Sequence, residues 1–190
     1  MYAPISLLFS LGLGSVGSMD QRIVIIGCGG SGKTTLANRL AVGFGIPVTH
    51  LDAVYYDDEW NPLPQEEFAA VQEELVADPE WVIDGNYAST LPIRLRRATT
   101  VVFLDLPPLP CLWGIAQRRW RHGGGQDGRT GVYNRITWDF IRYVWNYRTT
   151  MRPRVRALIA EHAPHVEVHV ATSRRAADRL ARRIITRLTD

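Results

Sequence analysis

Lys33 is the only lysine in a chain of 190 residues that carries 21 arginines. It stands in Gly27-Cys28-Gly29-Gly30-Ser31-Gly32-Lys33-Thr34, which fits the spacing G-x-x-x-x-G-K-[ST]. That spacing suits a polyanion. Glycines let successive backbone N–H groups turn inward as a nest, and a helix opening just beyond adds the positive end of its dipole. A lysine here can reach outer phosphates, and the threonine hydroxyl can ligate Mg²⁺. A sequence otherwise confined to the planar fork of arginine keeps lysine where a compact charge on a flexible stem is needed. The same glycines also satisfy G-x-G-x-x-G, with Asp52 twenty residues beyond Gly32, where a dinucleotide site would place its ribose-binding acid. Lys33-Thr34 decides between the two, because a dinucleotide helix packs small or apolar residues there. Gly27, Cys28, Gly29, Gly30, Ser31, Gly32, Lys33, Thr34 and Thr35 are therefore expected to cradle ATP with Mg²⁺.

Two carboxylates join this loop as candidates. Asp52 follows the short run Val48–Leu51, and Asp84 follows Trp81-Val82-Ile83. In an open α/β sheet the carboxyl ends of strands face the ligand crevice, so both are expected there. Asp52 could serve as a base towards an acceptor hydroxyl, hold metal-bound water, or cap a turn. The loop behind it, 53–64, gathers Tyr55, Tyr56, Asp57, Asp58, Glu59 and Trp60. The five histidines and two cysteines show no metal-ligand spacing. A bridge at Cys28 would distort the nest, which fits a reducing cytoplasm.

These groups need a frame, and the chain supplies one. Ile23–Ile26 reads as a buried strand, and Thr35–Phe44 as a helix with Leu36, Leu40 and Phe44 on one stripe, closed by Gly45 and Pro47. Further strands are expected over 48–51, 81–84, 99–106 and 166–170. Helices are expected over 65–77 and 109–121, the latter carrying Arg118, Arg119 and Arg121. The Gly-rich stretch 122–131 suits a mobile cover. Helical spacing resumes over 132–150, with a kink or new start at Pro153. Ser173 caps a last helix, with Leu180, Ile184 and Leu188 inward and six arginines around them. Strands alternating with helices imply a mostly parallel sheet in a three-layer α/β domain.

With 46% hydrophobic residues, the chain is expected to form one domain over 19–190. Residues 1–18 lack the basic start of a signal peptide and their apolar part is too short to span a bilayer, so they read as an upstream start or disordered tail, with no membrane partner. Residues 1–93 hold 3 basic and 12 acidic residues, and residues 94–190 hold 19 and 7, for net charges of −9 and +12. The basic half fits either nucleic acid or a lid that clamps phosphates.

Four blocks in order, namely the Gly27–Thr34 loop, His50-Leu51-Asp52, Trp81-Val-Ile-Asp84-Gly85-Asn86-Tyr87 and Val102-Phe-Leu-Asp-Leu-Pro107, resemble adenylate-kinase-related P-loop proteins. Within that group they are most similar to the DNA topology modulation (FlaR-type) proteins, over about residues 22–180. The resemblance implies a nucleoside-monophosphate-kinase-like P-loop NTPase fold with a parallel five-stranded sheet, an acceptor segment over about 53–80 and an Arg-bearing lid. It implies that Asp84 serves Mg²⁺ with Thr34. It also implies that Lys33, Arg118, Arg121, Arg148 and Arg152 supply charge for phosphoryl transfer to a small acceptor. The acceptor side would be lined by Asp52, Tyr55, Asp84, Asn86 and Tyr87. The family label adds nucleic acid as a second class of partner. One departure matters: where adenylate kinases place an arginine four residues after the Asp, for the acceptor phosphate, this chain has Ala88, and no Lys or Arg occurs between Arg39 and Arg94. The acceptor is therefore expected not to be a plain nucleoside monophosphate, unless Arg94, Arg96 or Arg97 folds back to hold it.

Overall fold

The computed structural model describes residues 21–57, 59, 61–122 and 137–187, with the backbone alone at 121 and 122. The proposed leader, most of the proposed lid and Leu188 lie outside the described residues. Five strands form one sheet in the order β2-β3-β1-β4-β5, with every pairing parallel. They are β1 (Arg22–Gly27), β2 (Val48–His50), β3 (Trp81–Asp84), β4 (Thr100–Leu104) and β5 (Glu167–Ala171). A central strand is covered on both faces and so must be apolar throughout rather than alternating. Ile23, Val24, Ile25 and Ile26 meet that condition, all at 0% exposure.

Seven helices flank the described sheet: α1 (Lys33–Phe44), α2 (Leu51–Tyr55), α3 (Gln65–Leu75), α4 (Leu91–Arg97), α5 (Pro108–His122), α6 (Trp138–His162) and α7 (Arg174–Arg187). α1 packs with α7, while α3, α4, α6 and α5 pack in a connected row. The three-layer α/β expectation and the parallel five-stranded sheet both hold.

The structure departs from the sequence reading in three places. Leu51 does not extend β2 but begins α2, so Asp52 sits in the first turn of a short helix. α4 was not expected at all; its seven residues, with Pro92 near the start, are too few for a clear period. Pro153 does not restart the helix, for α6 runs unbroken over 25 residues. Pro153 is exposed, so the carbonyl that it leaves without a donor can face water. Val144, Tyr147, Val155 and Ile159 are buried on both sides of it and hold the helix down.

Candidate functional site

The loop from Gly27 to Gly32 joins the central strand to α1. Ser31 N–H donates to the Cys28 carbonyl at 3.2 Å, and Gly30 and Gly32 hold φ of 74° and 97°, a left-handed conformation that other residues adopt at a cost. Lys33 folds over its own loop, with Nζ donating to the Cys28 carbonyl at 3.1 Å. Neighbours press on the loop from outside. The Phe140 ring of α6 lies against Gly29, Cys111 and Ile115 of α5 against Gly30, and Arg174 Nη2 donates to the Gly30 carbonyl at 3.2 Å. A methyl group on Gly30 would overlap the Cys111 carbonyl and come within 2.8 Å of Ile115 Cγ1. Gly30→Ala is therefore expected to cost about 2–3 kcal/mol, by left-handed strain plus overpacking, as measured by urea unfolding. Cys28 and Cys111 are free, buried and in thiol contact; that contact and burial push Cys28 up, while Cys111 is lowered chiefly by the bond from Cys28.

β3 delivers Asp84 beside this loop, since Ile25 of β1 and His50 of β2 are its register partners. Asp84 is 4% exposed. Its Oδ1 lies 2.9 Å from His50 Nδ1, whose other nitrogen is 3.2 Å from Asn38 Oδ1. A carboxylate only accepts, so His50 presents Nδ1–H to it. Asp84 Oδ2 is buried with no hydrogen-bond partner. An orphaned carboxylate oxygen at a strand end, with the Thr34 hydroxyl on the adjoining helix, is an oxygen donor set that fits Mg²⁺. Among the described residues there is no cluster of three or more His, Cys, Asp or Glu that could hold a metal unaided.

Asp52, half-buried in α2, accepts a hydrogen bond from the Tyr87 hydroxyl at 2.7 Å. Burial and the Asp52 charge push Tyr87 well above the usual phenol range, so it stays a donor. Tyr87 also carries φ of 26°, so the turn Asp84–Tyr87 is tightly constrained. Tyr55, Phe68 and Tyr87 form a cluster in which each ring touches the other two, with Tyr55 4.9 Å from Tyr87 and 4.7 Å from Phe68 between centroids. Asn86 reaches the other way: its Nδ2 donates to the Tyr143 hydroxyl at 3.1 Å, and Tyr147 donates to its Oδ1 at 3.2 Å. Burial pushes Tyr143 up to about 12. Beneath the turn lies Arg94, at 0% exposure, donating to the carbonyls of Gly85 at 2.8 Å and Asn86 at 3.2 Å. Arg94 thus does not fold back towards an acceptor. Arg96 and Arg97 border a hollow with Arg22, Thr99 and His165, at the opposite end of the sheet from the loop.

Arg148 and Arg152 meet not on open solvent but on Asp105, just past β4, together with Arg156. Arg118 is half-buried on α5, and Arg121 falls in the last turn of that helix. The sequence reading brought Lys33, Asp52 and Asp84 to one edge, where the structure places them. It passed over His50, Tyr143, Tyr147, Asp105, Arg156 and Arg174. For His50 and Asp105 a signal existed, since each closes or follows a strand at the same edge as Asp84.

A scan against protein-family models gives no match, and neither does a comparison with curated protein sequences. Solved structures do match. The chain is similar to shikimate kinase from Acinetobacter baumannii in complex with shikimate, at 18% identity and TM-score 0.56, over 90% of this chain and 94% of that one. It is similar to shikimate kinase from Bacteroides thetaiotaomicron at 14% identity and TM-score 0.55, over 90% and 99%. A sugar kinase from Janibacter sp. HTCC2649 matches at 18% identity and TM-score 0.53, over 87% and 92%. At these identities the likeness is one of fold, the nucleoside-monophosphate-kinase-like three-layer arrangement.

Proposed function

We propose that this chain is an ATP- and Mg²⁺-dependent phosphotransferase acting on a small molecule. The observation that carries the reading is Lys33 at the mouth of a glycine nest, one strand away from a buried Asp84 with an oxygen left unbonded. Thr34 and Asp84 would hold Mg²⁺, which when bound offsets charge on the outer phosphates. Lys33 would grip those phosphates, and Arg148 and Arg152 would meet the charge that spreads as the phosphoryl group moves, with Arg118 and Arg121 of α5 proposed for the same charge. Tyr87 binds one oxygen of Asp52, so the other is left to orient an acceptor hydroxyl and take its proton. Tyr55, Asn86 and Tyr87 shape the acceptor side. The names sugar kinase and shikimate kinase, borne by structures with this fold, are in keeping with a hydroxyl-bearing acceptor.

That acceptor is not a nucleoside monophosphate. A monophosphate carries about two negative charges near neutral pH and needs a cationic partner. The chain from 40 to 93 has no Lys or Arg, its one histidine, His50, is held on Asp84, and Arg94 is engaged by two backbone carbonyls. A neutral or amine-bearing alcohol suits the acidic, tyrosine-lined side better. A metabolite panel with labelled ATP should show transfer to such an alcohol and only trace transfer to AMP. Tight, saturable AMP phosphorylation would overturn the acceptor assignment; binding of no nucleotide at all would overturn the function. The second reading, a nucleotide-regulated protein acting on DNA as in the FlaR-type family, is favoured by the exposed arginines 175, 179, 182 and 183 of α7. It ranks lower because a solvated basic face accounts for them equally well.

A further inference from the structure

Arg148, Arg152 and Arg156 recur at every fourth residue of α6, so one helix face presents three guanidiniums in a row. All three meet a single carboxylate. Asp105 has a side chain 4% exposed, and Arg156 Nη2 donates to its Oδ2 at 3.1 Å, with Arg152 Nη1 at 3.5 Å from the same oxygen. Arg148 approaches the other oxygen, Nε to Oδ1, at 3.6 Å. That last contact is not a hydrogen bond, for Asp105 Oδ1 and Arg148 Nε are both buried with no hydrogen-bond partner. Three like charges this close would splay apart without an anion to gather them, yet one carboxylate can neutralise only one of them. Asp105 directly follows Leu104, the register partner of Gly27, so the set stands at the rim of the glycine loop.

We infer that Asp105 is a positioning residue: it holds Arg148 and Arg152 ready for the outer phosphates of the nucleotide, with Arg156 as its own counterion. The inference rests on the phosphotransferase reading. Arg156, the one hydrogen-bonded partner, satisfies the carboxylate charge. Arg148 and Arg152 are held in direction but lie beyond good hydrogen-bond distance, so their charge stays available. Phosphate oxygens offer them stronger, charge-assisted bonds than they have on Asp105. Without the carboxylate the two side chains repel each other and regain rotamer freedom, which binding would then have to remove.

The test measures ATP and AMP binding by calorimetry with Mg²⁺ present. Asp105→Asn should weaken ATP binding at least tenfold and leave AMP within twofold. The effect should vanish when Arg148→Gln and Arg152→Gln are already in place, because Asp105 acts through those two. A general loss of packing would instead weaken both ligands and persist in that background. Should Asp105→Asn fail to fold, Arg156→Gln, at a half-exposed position, supplies the measurement; Asp105 would then be neutralised by Arg148 and Arg152, and ATP should bind at least threefold more weakly. Unchanged or tighter ATP binding, or a loss undiminished in the double-variant background, overturns the inference and leaves the phosphotransferase reading intact. A wild-type protein that does not distinguish ATP from AMP overturns both.

Discussion

Lys33→Ala should lower ATP turnover at least about a hundredfold, the loss seen when one donor is removed from a preorganised phosphoryl or oxyanion site. Among the described residues no other group is placed to take over from it. The chain has no second lysine, Arg148 and Arg152 are held by Asp105 for a role of their own on the outer phosphates, and Arg174 donates to the Gly30 and Pro110 carbonyls. Lys33→Arg should rescue little, because a planar fork does not fit where a flexible point charge folds over its own loop. The fold should survive. Alanine is a good residue for the first turn of α1, and what is lost is one partly buried bond to the Cys28 carbonyl, worth about 1.5 kcal/mol. For a domain of this size that is a shift in Tm of about 3–6 °C. Turnover and thermal unfolding measured on the same preparation check both halves, and unchanged ATP consumption would refute the role of Lys33.

What the sequence disclosed and what it hid divide along the range of the interactions. The loop was legible because its chemistry is local: glycine conformations, one lysine and one threonine in eight consecutive residues, between an apolar strand and a helical stripe. Asp84 was legible because a strand end fixes where its side chain goes. Asp52 was assigned to the right edge although α2 replaces the expected strand end, since both lead into the same crevice. The arginines were a different matter. Ile93-Arg94-Leu95-Arg96-Arg97 contains three that look alike in the sequence, and only the unforeseen helix α4 turns the first inward while the other two stay exposed. Arg156 was missed because its relation to Arg148 and Arg152 requires α6 to continue through Pro153. Tyr143 and Tyr147 were missed because their partner, Asn86, is 57 and 61 residues away in the chain. A contact of that kind leaves no periodic trace.

The hidden member with the largest structural consequence is Arg94, and Arg94→Met should destabilise the protein by about 3–5 kcal/mol, the cost of leaving two backbone carbonyls without their charged donor. Two effects oppose each other here. Burial disfavours the guanidinium and pushes it down to about 9, with the Asp84 charge resisting, so the group remains a cation at neutral pH and its desolvation is a cost that methionine would relieve. Against that relief stand the carbonyls of Gly85 and Asn86, which would lose their donors at 2.8 and 3.2 Å. Asp84, 4% exposed and with Oδ2 already unbonded, would also be left with His50 as its partner. Two orphaned carbonyls and a buried carboxylate left with His50 alone outweigh one desolvated cation, because the unmet groups are largely screened from water. The turn above should loosen with them, and with it the alignment of Asp84, Asn86 and Tyr87. Domains of this kind hold only about 5–15 kcal/mol in reserve, so the urea midpoint should fall by about a fifth or more. Arg94→Lys keeps the charge but loses the fork that spans two carbonyls, and should recover less than half of the loss. An arginine that held an acceptor phosphate would behave in the opposite way: Arg94→Met would leave the unfolding midpoint in place and raise only the KM for the acceptor. Unfolding of the variant therefore decides whether Arg94 supports the turn or faces the substrate.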